Sequence, residues 1–144
     1  MKMRRRNAGG PMLDLPLETP RLILRDFTAR DFDAVHAYSS REEVTRFLVW
    51  GPNTTLQSKQ TIRAYLDDQK ESPRHNFDLA IVRKAEGRRG ASQHLIGGVG
   101  LKLVDWENRT AEIGYVLHPD YWGEGYALEA AQTVAHAGFA DLGL

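Results

Sequence analysis

No cysteine occurs among the 144 residues, which removes disulfides, thiolate zinc sites and cysteine nucleophiles in one step and fits a reducing, cytoplasmic setting. Nor does one charge dominate. Nineteen basic and nineteen acidic side chains cancel, so no overall field argues for nucleic acid or an anionic membrane surface as a partner. Apolar residues never run together for the roughly eighteen positions that a membrane-spanning helix needs. The five histidines, at 36, 75, 94, 118 and 136, show no ligand spacing, and no metal is expected. The opening Met1-Lys2-Met3-Arg4-Arg5-Arg6 has the charge of a secretory n-region but lacks the apolar h-region that should follow. Residues 1–16 therefore read as a disordered basic lead-in, with a nucleic-acid-binding arm as the alternative.

What is present suits one globular domain: 42% hydrophobic and 26% charged residues over a length that can bury a core. Arg21 to Arg25, following Pro20, reads as a first strand. Thr28-Ala29-Arg30-Asp31 has capping-box spacing ahead of Phe32, Val35 and His36, which predicts a first helix. Thr54-Thr55-Leu56-Gln57 is a capping box for a second helix to about Lys70, with Ile62, Tyr65 and Leu66 on one face. Phe77 to Val82, Leu95 to Leu103 and Thr110 to Leu117 read as a meander of three strands, with 83–94 as an exposed hairpin connection. A glycine turn and a helix from about Gly125 to Asp141 follow. Strands segregated from helices indicate an α+β fold, or a mixed sheet with helices on both faces.

The turn Tyr121-Trp122-Gly123-Glu124-Gly125-Tyr126-Ala127 joins a strand to a helix. Such a junction aims unpaired N–H groups and the positive end of the helix dipole at one point, which suits a phosphate. It lacks the Gly-Lys-Ser/Thr of the Walker loop, and Leu128 stands where the dinucleotide fingerprint needs its third glycine. On spacing alone a plain tight turn is equally open.

Beyond spacing, the turn resembles the pyrophosphate loop of the GNAT acyl-CoA N-acetyltransferases, whose pattern Arg/Gln-x-x-Gly-x-Gly/Ala is met at Gly125 and Ala127. Trp122 departs from that pattern in the way of one branch, the RimJ/RimL-like ribosomal-protein N-terminal acetyltransferases, which Tyr121 to Ala130 resembles almost residue for residue. Glu18 to Arg25, Leu95-Ile96-Gly97 and Ala111 to Tyr115 resemble its first, third and fourth strands. The resemblance implies a GNAT domain over 17–144, with a central, mostly antiparallel sheet flanked by helices. It also implies transfer of acetyl from acetyl-CoA to a primary amine, either a protein N-terminal α-amine or a small amine. A non-catalytic CoA-binding or scaffold remnant of the fold is the alternative.

The same resemblance places the cofactor-binding positions at Tyr115, Val116 and Leu117, beside the pantetheine, and at Trp122, Gly123, Glu124, Gly125, Tyr126 and Ala127, around the pyrophosphate. A backbone N–H near a bulge of the fourth strand, at Tyr115, would stabilise the thioester oxyanion. Glu112 is the candidate base; equally it could face outward and balance Arg109 or a cross-strand partner. His118 is a second candidate, or simply a turn residue before Pro119. Phe47 and Trp50, with Tyr65, line the acceptor mouth or belong to plain core, and Tyr121 and Trp122 pack or contact substrate. The sequence stops at Leu144, where the family's fifth strand should begin. The family's C-terminal strands and helix are thus expected to be missing, the exposed fourth strand to drive self-association, and the loss of one wall of the opening between the fourth and fifth strands to cost this chain its turnover.

Overall fold

The computed structural model describes residues 12–85 and 93–144. Five strands, β1 (Leu17–Glu18), β2 (Leu22–Asp26), β3 (Asn76–Arg83), β4 (His94–Asp105) and β5 (Thr110–Leu117), form one antiparallel sheet in the order β1-β2-β3-β4-β5. Between β2 and β3 lie α1 (Phe32–Ser39), α2 (Glu42–Thr45) and α3 (Thr55–Asp68); α4 (Tyr126–Leu142) follows β5. The α+β expectation holds, with helices on both faces of a sheet that has no parallel pair among the described residues.

Strand alternation feeds two cores. From β3, Phe77, Leu79 and Ile81 join Leu22, Leu24, Ile96, Val99 and Leu101 beneath α4, which presents Tyr126, Ala130, Val134 and Ala137 at helical spacing. On the other face Ala80 and Val82 pack with Phe27, Val35, Tyr38, Val44 and Ile62 beneath α1, α2 and α3. Each fully buried aliphatic side chain here contributes about 1.5–3 kcal/mol.

Local signals fix the helix ends. The Thr54 hydroxyl accepts from Gln57 N–H at 3.2 Å while the Gln57 amide oxygen accepts from Thr54 N–H at 2.9 Å, closing the expected capping box. At the first helix Asp31 accepts from Thr28 N–H at 2.7 Å, but the chain makes a 3-10 turn over Ala29–Asp31 before α1 begins. Gln69 donates to the Phe27 carbonyl at 2.9 Å, and His36 and Ser58 meet at 2.7 Å, so α3 is tied to both β2 and α1.

Three expectations need correction. The lead-in does not extend to residue 16, because Leu13 is 5% exposed and sits in the α4-side core; residues 1–11 lie outside the described residues, as do 86–92 of the hairpin connection. The short elements β1 and α2 carry too few residues for a periodic signal and were not expected. No bulge interrupts β5 at Tyr115: its pairing with β4 runs in unbroken register from Ala111 to Leu117, and the irregularities fall at Leu103/Asp105 and, between β3 and β4, at Ile81/Val82.

Candidate active site

After β5 the chain makes a 3-10 turn over Pro119–Tyr121 and enters α4 through Gly123 and Gly125, whose φ angles of 79° and 80° are left-handed. Such angles are open to glycine at little cost and to other residues at about 1–2 kcal/mol. Gly125 is the residue before the helix, so no side chain caps it, and the first helical bond is Glu129 N–H to the Gly125 carbonyl at 3.1 Å. The N–H groups of Tyr126, Ala127 and Leu128 are thereby left without helical partners at the positive end of a 17-residue helix.

Two side chains hold this turn against the strand. The Trp122 indole N–H donates to the Leu117 carbonyl at 3.0 Å, which gives the tryptophan a structural reason to stand there. His118 Nδ1 accepts from Asp120 N–H at 3.1 Å, so the histidine caps the 3-10 turn. It lines neither of the pockets described below, which favours the turn reading over the base.

The loop is also braced from behind by residues that sequence reasoning did not assign to the site. Arg21 donates to Glu129 Oε1 at 2.8 Å and to the Glu124 carbonyl at 2.8 Å, and its guanidinium lies 4.2 Å from the Tyr126 ring centroid. The Thr19 hydroxyl donates to Glu129 Oε2, and Arg83 Nε donates to the Tyr126 hydroxyl at 3.0 Å. Burial pushes the Glu129 carboxyl up, but the hydrogen bonds from Thr19 and Arg21 outweigh it and hold the group below its ordinary value. Glu18 to Arg21 and Glu129 both stand in the stretches that carry the resemblance, which was the available signal.

Two pockets, each of about 570 Å³, meet at the last turn of β5. The first, the loop pocket, is lined by Tyr115, Val116, Leu117, Trp122, Gly123, Gly125, Tyr126 and Ala127, with Phe47 and Leu48 opposite. The second, the sheet groove, lies on the α1–α3 face over Gly98, Gly100 and Gly114, with Glu112, Asp78, Tyr38, Tyr65 and Trp50 around it. Leu48, Tyr115 and Val116 line both. The structure thus gathers most of the expected residues but separates Phe47 from Trp50: the tryptophan sides with Glu112, whereas Phe47, 90% exposed, sides with the glycine loop. Glu124 lines neither pocket, and its carbonyl is held by Arg21.

Backbone alternation decides which β5 groups face outward. His118 N–H donates back to the Ile96 carbonyl at 2.8 Å, so N–H groups two and four residues earlier point to β4. Those of Tyr115 and Leu117 then point to the free edge, as the Leu117 carbonyl does in meeting Trp122. Glu112 faces Lys102 across the ladder, while Arg109 donates to the Gly143 carbonyl at 3.1 Å and is not its partner.

Asp78 was not singled out in the sequence. It sits on β3 opposite Gly100, which in turn sits opposite Gly114 on β5. Burial, reinforced by Asp68, pushes its carboxyl up to about 6 against the opposing influence of Arg74 and Lys102. Burial also raises the Tyr38 and Tyr65 hydroxyls, whose rings wall the same groove.

A five-stranded antiparallel sheet thus leads through a strand–glycine turn–helix junction that opens onto two confluent pockets. A family model described as an acetyltransferase (GNAT) domain matches residues 21–144, and the chain belongs to the GNAT acetyltransferase family, a family of acyltransferases. It is similar to the uncharacterized N-acetyltransferase p20 of Bacillus licheniformis, at 34% identity over 129 residues, covering 89% of this chain and 68% of that protein. Among solved structures, a GNAT-family acetyltransferase from Bacillus anthracis superposes with a TM-score of 0.72 at 27% identity, over 90% of this chain and 69% of the other. The microcin C7 self-immunity acetyltransferase MccE, solved with acetyl-CoA and AMP, shares the fold at a TM-score of 0.67 and 19% identity, over 87% and 66%. No helix of the described residues is long and apolar enough to cross a membrane.

Proposed function

We propose, setting aside the expectation of lost turnover because described residues line both pockets, that the chain transfers the acetyl group of acetyl-CoA to a primary amine, with a protein N-terminal α-amine, such as that of a ribosomal protein, as the favoured acceptor and a small amine as the other candidate. The observation that carries this reading is the confluence of the two pockets at Tyr115 and Val116, beside outward-facing N–H groups of β5. In this reading the N–H groups from Gly123 to Ala127 take the pyrophosphate, with Trp122 and Glu124 fixing the loop by their backbone and ring contacts. The acyl arm lies along the β5 edge over Tyr115, Val116 and Leu117 under Phe47. The Tyr115 N–H stabilises the thioester oxyanion, a contribution of about 2.7–4 kcal/mol when such a donor is set in advance.

The amine reaches the carbonyl from the sheet groove, past Trp50. Its nitrogen attacks the thioester carbon, the C–N bond forms and the C–S bond breaks; CoA leaves as a thiolate that takes a proton from solvent, and the nitrogen gives its proton to a carboxylate of the groove, where Glu112 stands toward Lys102. Only the neutral amine attacks. At pH 7.5 about a third of an α-amine is neutral against about one in a thousand of a lysine-like amine, which favours the α-amine.

When no acyl arm lies on it, the β5 edge, where Tyr115 is 57% exposed, is open to a second copy of the chain as our proposed occupant, and the cytoplasm is the location we assign. Light scattering across a concentration series tests the association; a monomer at all concentrations rejects it. For the function, calorimetry should give CoA binding with none for NAD or ATP. A thiol-release assay should then report turnover on a peptide with a free N-terminus and none on the same peptide blocked. Binding without release from any amine would leave the non-catalytic reading.

A further inference from the structure

We infer that Asp78, on β3, is the carboxylate that takes the proton from the attacking amine. The assignment rests on the reading of the chain as an N-acetyltransferase and names a residue for one step of it. Three observations carry it. First, Asp78 makes no hydrogen bond or ion pair with the described residues; Arg74, the nearest candidate on its flank, is engaged with Asp26 at 2.8 Å. No side-chain oxygen in the described structure is both sealed from solvent and unpartnered, so the Asp78 carboxylate has its free valences in the groove it lines.

Second, the two neighbouring strands carry no side chain across its path. Asp78 faces Gly100, and Gly100 faces Gly114. A Cβ on Gly100 would stand 2.7 Å from Asp78 Oδ1, while a Cβ on Gly114 would enter open space. The pair leaves a trough that runs from the carboxylate over β4 to β5, one residue short of Tyr115, whose N–H points outward. Glu112 borders the same groove but is exposed and sits across from Lys102.

Third, the surroundings keep a carboxylate there basic enough to accept a proton. The groups facing it are Tyr38 from α1, Asp68 and Tyr65 from α3, Arg74 before β3, Lys102 from β4 and Glu112 from β5. Burial first, then Asp68, raise its affinity for the proton against Arg74 and Lys102, up to about 6. A base at that value is ionised at neutral pH yet holds a proton better than an ordinary aspartate. The step balances: the attacking nitrogen, cationic once bonded to carbon, loses one proton to Asp78, which passes it to solvent through the open groove.

The test compares Asp78→Asn, Glu112→Gln and the unaltered chain by thiol release from acetyl-CoA on a peptide with a free N-terminus, from pH 5 to 9, with CoA affinity by calorimetry. The expected result for Asp78→Asn is a fall in kcat of about 100-fold or more, unchanged CoA affinity, and loss of the acid limb near pH 6 that the unaltered chain shows. Glu112→Gln, at the other carboxylate of the groove, should keep that limb. An Asp78→Asn variant that retains turnover while Glu112→Gln loses it overturns the assignment and leaves the transfer reading standing. An unaltered chain that binds CoA but acetylates no amine overturns both.

Discussion

Gly114 offers a substitution that should separate folding from chemistry. It lies on β5 without a positive φ, opposite Gly100, and a Cβ built on it meets no atom within 4 Å. Glycine in a strand interior costs about 0.5–1 kcal/mol in chain entropy relative to alanine, and a β-branched residue suits a pleated position. Gly114→Val should therefore fold at least as stably as the parent, by about 0.5–1 kcal/mol, or roughly 2–3 °C in Tm for a chain of this size. The new methyls fill the trough between Asp78 and the β5 edge. Displacing a reacting amine by about 1 Å is enough to lose roughly 100-fold in rate, so kcat/KM in the thiol-release assay should fall by about that factor. CoA affinity should hold within about twofold, since Gly114 lines the sheet groove and not the loop pocket. Thermal melts, calorimetry and turnover on one preparation decide it. A valine variant with parental kcat/KM would show that the amine does not pass over Gly114. An equal loss of CoA binding would show that the two pockets are not separate.

Other perturbations follow from the same geometry. Gly125→Ala, at a φ of 80°, should cost about 1–2 kcal/mol of backbone strain and weaken CoA binding in calorimetry by tenfold or more, while leaving the fold intact by circular dichroism. Glu129→Ala removes the partner of Arg21 and Thr19, and should cost about 1–2 kcal/mol in denaturant melts at pH 7. Because the Glu129 carboxyl is held low, its stabilisation is full above the unfolded value and is lost as pH falls through the folded one, so the two chains should converge in acid. Asp78 has the opposite sign. A carboxyl raised to about 6 opposes folding increasingly as pH rises from the ordinary carboxylate range through that value, so Asp78→Asn should be more stable than the parent at pH 8, by on the order of 2–3 kcal/mol, with the gap closing near pH 4. An Asp78→Asn chain that gains nothing at pH 8 would remove the strained-carboxylate argument.

Much of the frame was legible because its signals are local. The Thr54–Gln57 box, the β5 limits Thr110 and Leu117, and the glycine turn into α4 each depend on residues within one turn or strand. Asp78 was not, because between Phe77 and Leu79 it reads as the ordinary polar partner in a strand alternation. Its meaning comes from Gly100 and Gly114, set opposite it by pairings some 20 and 14 residues apart along the chain. Phe47 and Trp50 read in the sequence as one acceptor pair, yet the turns after the four-residue α2 send them to different pockets. The brace of Arg21 on Glu129 spans more than a hundred residues, and only the closed sheet with α4 against it reveals the pair.

Mass spectrometry of a peptide incubated with acetyl-CoA and this chain tests the central claim most directly. The account predicts the mass of one acetyl group added at the α-amine, one thiol released for each, and about 100-fold less of both from the Asp78→Asn chain in the same time. An unmodified peptide, recovered from a chain that calorimetry shows to be loaded with acetyl-CoA, would contradict it.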